Sequence, residues 1–229
     1  MADKPSRGLI LYGDGLARFI HAHLHSLASK ANCGFLSLPE SEDDRIVREF
    51  AVLMDACEPT MSERFMGMRA ALLTLGFDVL HLNGLASELL ALLGFQEGRI
   101  LNASQFDLVI VHIFMNALIG AIMLIAQPGT EIASRLYLSL IMGYGNVSEN
   151  DSPLSALFPQ QSYTMRGEDV RHYSPMLVAQ YQNAVTRKDM VDTFSFEDFK
   201  ERSGNLIIPA DRLLHEIAFK LWKAPKYGA

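Results

Sequence analysis

Cysteine is scarce in this chain. Cys33 and Cys57 are the only two. Both lie in apolar surroundings with no Cys-x-x-Cys or Cys/His spacing, which argues against a disulfide framework and a cysteine-based zinc site. They read as small buried hydrophobes in a reducing compartment. Basic charge is also short: 20 Lys and Arg stand against 26 Asp and Glu, for a formal charge of -6. A nucleic-acid binder draws its affinity from clustered cations that release counterions, so this balance points to small molecules or proteins as partners, not nucleic acid. Gly-x-Gly-x-x-Gly and Gly-Lys-Ser/Thr phosphate loops are missing, and so is a Gly-x-Ser-x-Gly nucleophile elbow. The apolar run Leu9 to Tyr12, following Lys4 and Arg7, is too short for a signal peptide, so the cytoplasm is the expected address. Internal repeats, low-complexity tracts and a long charged tail are absent as well.

What is present is enough apolar material for one large core. Of 229 residues, 49% are hydrophobic, so a single domain needs neither metal nor disulfide to hold it. One stretch, Leu108 to Gln127, runs without a formal charge and has the length of a membrane span. Its two halves differ, however. Leu108 to Ile113 is β-branched like a buried strand, Met115 to Ala126 is rich in Met, Ala and Leu like a helix, and His112 and Asn116 lie near the change. A strand–helix pair is therefore the favoured reading and a membrane helix the alternative.

Alternation of short apolar runs with helical periodicities predicts an α/β fold: a mostly parallel central sheet with helices on both faces and ligands at the C-terminal strand ends. Strands are predicted at Leu9–Tyr12, Cys33–Leu38, Arg69–Thr74, Phe77–Leu82, Phe106–Ile113, Arg135–Met142 and Met176–Ala179. Helices are predicted over Ile20–Ser29, after the acidic turn Ser41–Asp44 with Ile46, Val47, Phe50, Leu53 and Met54 on one side, over Ala86–Leu93, and over Met115–Ala126. Ser195-Phe-Glu-Asp198 resembles a capping box that opens a short helix to Arg202. A terminal helix after Pro209 is expected to bury Leu213, Leu214, Ile217, Leu221 and Trp222. Gly143 to Gly167 reads as the main exposed loop. Two joins, Thr74-Leu75 and Ile113-Phe114, look short for parallel crossovers.

Asp14 is the sharpest chemical candidate. It stands at the end of the first strand between Gly13 and Gly15, where the backbone turns tightly and a carboxylate suits a hard metal ion or a metal-bound phosphate. The plainer alternative is an Asp that only turns the chain. His21, His23 and His25 form a His-x-His-x-His run, but on a helix His23 points away from the other two, so a chance cluster is favoured over a zinc clasp. His172, in Val170-Arg-His-Tyr-Ser-Pro175, precedes a strand and offers a ligand or an acid/base. A loop histidine bonded to backbone is its ordinary reading. His112 reads as a hydrogen-bonded core residue. Thr186-Arg-Lys-Asp189 reads as a solvated charged turn sooner than as an anion site.

In this order, the motifs resemble the alkaline-phosphatase superfamily and, within it, the archaeal-type cofactor-independent phosphoglycerate mutases. Leu9 to Leu16, then His23-Leu24-His25-Ser26-Leu27-Ala28 and Cys33-Gly34-Phe35-Leu36, stand where that family has a strand ending in Asp-Gly and its following segments. Phe106-Asp-Leu-Val-Ile-Val-His-Ile113 is similar to its strand ending in Val-His-Val. Arg171-His172-Tyr173-Ser174-Pro175-Met176-Leu177 is similar to its His-Ser-x-x-Pro-Val-Pro segment. Gly204-Asn205-Leu206 and Lys226-Tyr227-Gly228-Ala229 also suit it. The resemblance covers most of the chain. It implies an alkaline-phosphatase-like fold and a two-metal phosphotransfer site, in which paired ions stabilise the attacking and leaving oxygens.

Carried over by residue, Asp14 matches the first metal ligand and His172 the late histidine. The other ligands have no match. Phe114-Met115-Asn116 follows Ile113 where the family has Asp-x-x-Gly-His, and Met142-Gly143-Tyr144-Gly145 stands where it has Ala-Asp-His-Ser. No hydroxyl residue after Leu38 sits in the nucleophile context. The resemblance therefore implies a pseudoenzyme-like domain with a vestigial metal site at Asp14 and His172, binding a small phosphorylated ligand or a protein partner without a cofactor. The alternative is an active metal-dependent phosphotransferase or phosphatase using Mn, Zn or Mg.

Overall fold

A computed structural model describes residues 4–13, 22–39, 46–55, 64–74, 82–112, 116–143, 175–204 and 206–225. Among these, the apolar runs form strands β1 (Arg7–Gly13), β2 (Asn32–Ser37), β3 (Ala70–Thr74), β6 (Leu108–His112), β7 (Leu136–Met142), β8 (Met176–Tyr181) and β9 (Leu206–Pro209). They build one sheet in the order β3-β6-β1-β7-β8-β2-β9. A separate two-stranded ribbon pairs β4 (Phe95–Gln96) with β5 (Arg99–Ile100). β1 runs parallel to both β6 and β7, β3 runs parallel to β6, and β9 runs parallel to β2. β8 alone is antiparallel, to β7 on one side and β2 on the other.

Helices flank both faces. α1 (Ala22–Ala28), α3 (Leu82–Leu92), α4 (Asn116–Ile125), α5 (Glu131–Arg135) and α6 (Phe196–Arg202) supply one core, where Leu9, Leu11, Val109, Val111, Leu138 and Leu140 point. α2 (Ile46–Leu53) and α7 (Leu213–Lys220) supply the other, with Ile10, Tyr12, Ile110, Tyr137 and Ile141. The odd and even residues of β1 thus enter different cores, and a strand buried on both sides must be apolar throughout. Leu9, Leu11 and Tyr12 are fully buried. Each such side chain contributes roughly 1.5–3 kcal/mol of transfer free energy.

The uncharged stretch from Leu108 divides into β6 and α4, and among the described residues no helix is long and apolar enough to cross a membrane. Its join is short because a strand-to-helix loop needs only a few residues. The full β6-to-β7 crossover also includes α4 and α5, which is ample for a parallel connection.

Some expectations about the elements need correction. Leu82, expected to end a strand, begins α3, and residues 75–81 lie outside the described set. β9 was not anticipated: Leu206 to Pro209 is too short for a clear alternation, and its pairing with β2 makes it a strand. Trp222 is not buried with the terminal helix but is 67% exposed. α7 ends at Lys220, Leu221 caps it, and Trp222 takes a left-handed φ of 61°, which turns the indole away from the apolar stripe. The Trp222 N–H donates to the Phe219 carbonyl at 3.0 Å and the Lys223 N–H to the Ala218 carbonyl at 2.8 Å, a Schellman closure with tryptophan in the position that favours glycine.

The Ser195 N-cap forms, but the reciprocal half of the expected capping box does not, because the Ser195 N–H donates to the Thr193 carbonyl. The Ser195 hydroxyl accepts the Asp198 N–H at 3.3 Å, while the Asp198 carboxylate accepts the N–H groups of Asp192 and Thr193. α5, missed in the sequence, is capped in the same way by Thr130, which accepts the Ala133 N–H at 3.1 Å.

Candidate functional site

The parallel strands β3, β6, β1 and β7 end along one edge of the sheet. In register, Thr74, His112 and Tyr12 lie side by side at the ends of β3, β6 and β1, and Gly13 pairs with Met142 of β7. The Gly143 N–H donates to the Gly13 carbonyl at 2.9 Å, extending the β1–β7 ladder one residue past the strands. In α/β sheets this C-terminal edge is where strands hand over to loops and where ligands bind.

Asp14 is the next residue after Gly13, and it lies outside the described residues, as do His172, His21 and Cys57. What the structure describes is therefore the strand end that precedes Asp14 in the sequence. The His112 ring, half-buried, lies 5.4 Å from Tyr12 and 5.7 Å from Phe50 by ring centroid, nearly parallel to the latter at 24°. Tyr12 and Phe50 are 4.9 Å apart and close this aromatic trio. His112 thus belongs to the rim of the sheet and not to its interior. α2 supplies Phe50 and also Glu49, whose Oε2 would lie 3.7 Å from a Cβ placed on Gly143. The same imagined Cβ would lie 3.5 Å from the Tyr12 hydroxyl and 3.6 Å from the Gly13 carbonyl. Gly143, expected at the head of an exposed loop, is buried.

Sequence reasoning missed Tyr12, Glu49, Phe50 and Gly143. Tyr12 looked like one more apolar strand residue, and nothing in the α2 periodicity says which sheet edge the helix covers. The donors described here are one imidazole, one carboxylate, one phenol and the thioether-bearing Met142. A dinuclear site for hard ions needs several oxygen donors. Among the described residues no three His, Cys, Asp or Glu come together in a metal-holding group.

The remaining candidates are dispersed. His23 and His25 diverge as helix geometry requires. The His23 ring packs on Gly120 of α4, so closely that a Cβ there would stand 2.7 Å from it, while His25 Nδ1 accepts the Phe194 N–H at 2.9 Å. The N–H groups of His23 and Leu24 donate to Asn116 Oδ1, binding the start of α1 to α4.

In the turn expected to be solvated, Arg187 and Lys188 are exposed, but Asp189 is not. It is buried, accepts Arg187 Nε at 2.8 Å, and also accepts the Cys33 N–H, the Gly204 N–H and Asn32 Nδ2. A carboxylate so occupied clasps β2 to the loop before β9 and leaves no role for a bound anion. Burial, then the negative charges of Asp189 and Asp198, push the Cys33 thiol far above its ordinary value, so it is an inert core group.

No family model matches this chain, and no curated protein matches it. Among solved structures it is similar to the PH0037 protein from Pyrococcus horikoshii, with a TM-score of 0.57 and 11% identity over 100% of both chains. At that identity the likeness is one of fold.

Proposed function

We propose that this chain is a pseudoenzyme-like relative of the alkaline-phosphatase superfamily, closest in plan to archaeal-type phosphoglycerate mutases. It binds a small phosphorylated ligand at the C-terminal ends of β1, β6 and β7. The observation that carries the reading is the pairing of Gly13 with Met142 and Gly143. Beside the strand that leads into Asp14 in the sequence, β7 ends in a thioether followed by a glycine, whereas the resembled enzymes bear an Asp-His pair there. A first ligand without its neighbours cannot organise two cations, because each ion needs several donors of its own. Asp14 and His172 are then vestigial metal positions. The proposed ligand would approach the backbone at Gly143, near Glu49, Tyr12 and the His112 ring.

Metal content and turnover of the purified protein test this. The expected result is substoichiometric Mn, Zn and Mg and no conversion of a phosphoglycerate or a generic phosphomonoester. Titration calorimetry with 3-phosphoglycerate is expected to give binding that Asp14→Ala leaves measurable and Gly143→Val abolishes. Two bound metal equivalents, with turnover lost in Asp14→Ala, would establish the rival active phosphotransferase. A phosphate-free protein partner bound at the same edge would remain the reading if calorimetry is silent and Gly143→Val disrupts a co-purifying complex.

A further inference from the structure

The opposite end of the sheet carries a different surface. At the starts of four consecutive strands, β3, β6, β1 and β7, stand Arg69, Asp107, Arg7 and Arg135, since Gly8 pairs with Leu108, Ala70 with Leu108, and Arg7 with Leu136. Arg135 Nη1 donates to the Lys4 carbonyl at 3.1 Å, and Lys4 Nζ lies 3.4 Å from the centre of the Trp222 ring. Lys220 reaches to 5.7 Å from the Tyr137 ring near the start of β7, and Lys223 Nζ lies 3.4 Å from Asp107. Among the described carboxylates at this end, Asp107 takes Arg69 and Lys223 and Glu131 accepts the Ile100 N–H, and the six cations named here outnumber them. In a chain of net charge -6, one end of the sheet is therefore basic. Out of that end project two aromatic rings, Trp222 at 67% exposure and Phe219 at 39%.

Trp222 combines exposure with a left-handed backbone, a conformation that a bulky residue adopts only against a steric cost. Core packing does not account for either feature. We propose that this basic, aromatic end docks peripherally on an anionic lipid surface. The indole and phenyl rings enter the boundary between headgroups and acyl chains, and Lys4 and Lys220 lie among the headgroups. Charge complementarity selects anionic lipid, and exposed rings beside lysines suit an interface with both apolar and charged layers. Such docking lies on the surface and requires no spanning helix. It also leaves the C-terminal strand ends, at the other end of the sheet, facing away from the bilayer, so it stands independently of what they bind.

Trp222 is the only tryptophan in the chain, so its fluorescence reports on the proposed contact itself. The full-length protein would be titrated with phosphatidylcholine vesicles, alone or containing about one-third phosphatidylserine. The expected result is a blue shift and cosedimentation only with the anionic vesicles, weakened about tenfold or more by Lys4→Glu together with Lys220→Glu. Raised salt is expected to reverse the binding. Circular dichroism checks that the double variant is folded. If it is not, Trp222→Ser, followed by cosedimentation alone, carries the same comparison. The proposal is overturned by an unshifted spectrum with both vesicle types, by equal binding to neutral vesicles, or by a shift produced by polyglutamate and not by vesicles, which would assign the surface to an acidic polypeptide.

Discussion

Replacing Asp107 by Asn tests whether charge at the start of β6 holds the basic end of the sheet together. Asp107 Oδ2 accepts the Arg69 backbone N–H at 3.1 Å and Arg69 Nε at 3.2 Å, Oδ1 accepts Arg69 Nη2 at 3.1 Å, and Lys223 adds a third cationic contact. Burial alone would push the carboxyl up. The side-chain and backbone hydrogen bonds from Arg69, with the charges of Lys223 and Arg69, outweigh it and bring the pKa from 3.8 down to about 2. At about 1.4 kcal/mol per pKa unit this corresponds to about 2 kcal/mol. The Arg69 side chain is 57% exposed, so solvent screening lowers the expectation to about 1–2 kcal/mol. The folded pKa is depressed, so this stability is fully present above the unfolded value and is lost as pH falls from 3.8 through about 2. Urea unfolding of wild type and Asp107→Asn should differ by that amount near neutral pH and converge toward the acid end of this window. A gap that stays constant down to about pH 2 would refute the reasoning, because a protonated Asp107 cannot differ from Asn by its charge.

Asp189→Ala is expected to cost about 3–5 kcal/mol, because it strands the Cys33 and Gly204 N–H groups together with Arg187. Chemical denaturation measures it, and a loss under about 1 kcal/mol would show that water replaces the carboxylate. Gly120→Ala should destabilise by about 1–3 kcal/mol, since the added methyl meets the His23 ring. Adding His23→Ala should recover most of that loss, and strictly additive effects in the double variant would count against direct contact. Ser195→Ala removes the acceptor of the Asp198 N–H and should lower the melting temperature by an amount equivalent to about 1 kcal/mol.

Several features were legible because they are local or periodic. β1, β6 and β7 are apolar along most of their length, with buried Ser139 the polar exception inside β7, as strands buried on two faces should be. Ser195 lies at the right offset from Asp198 for a cap, and the His23/His25 divergence follows from helix geometry alone. The candidate site was legible only in part. Gly13 marks a strand end in the sequence, but its neighbours there, His112, Met142 and Gly143, come from segments about a hundred residues and more away and are chosen by strand order. Phe50 was read only as helix periodicity and Glu49 not at all. Their place over the β1–β6 edge depends on which face of the sheet α2 crosses.

The amino-acid sequence by itself determined that the chain forms strands and helices in alternation, how much of each is apolar, and where its caps and breaks fall, because those follow from steric preference and burial within a few neighbouring residues. Tertiary structure alone decided that β8 runs against its neighbours, that Asp189 is a buried clasp, and that cations from three strand starts share one end with an exposed Trp222. Each of these depends on long-range register, where one backbone hydrogen-bond ladder fixes which distant side chains meet.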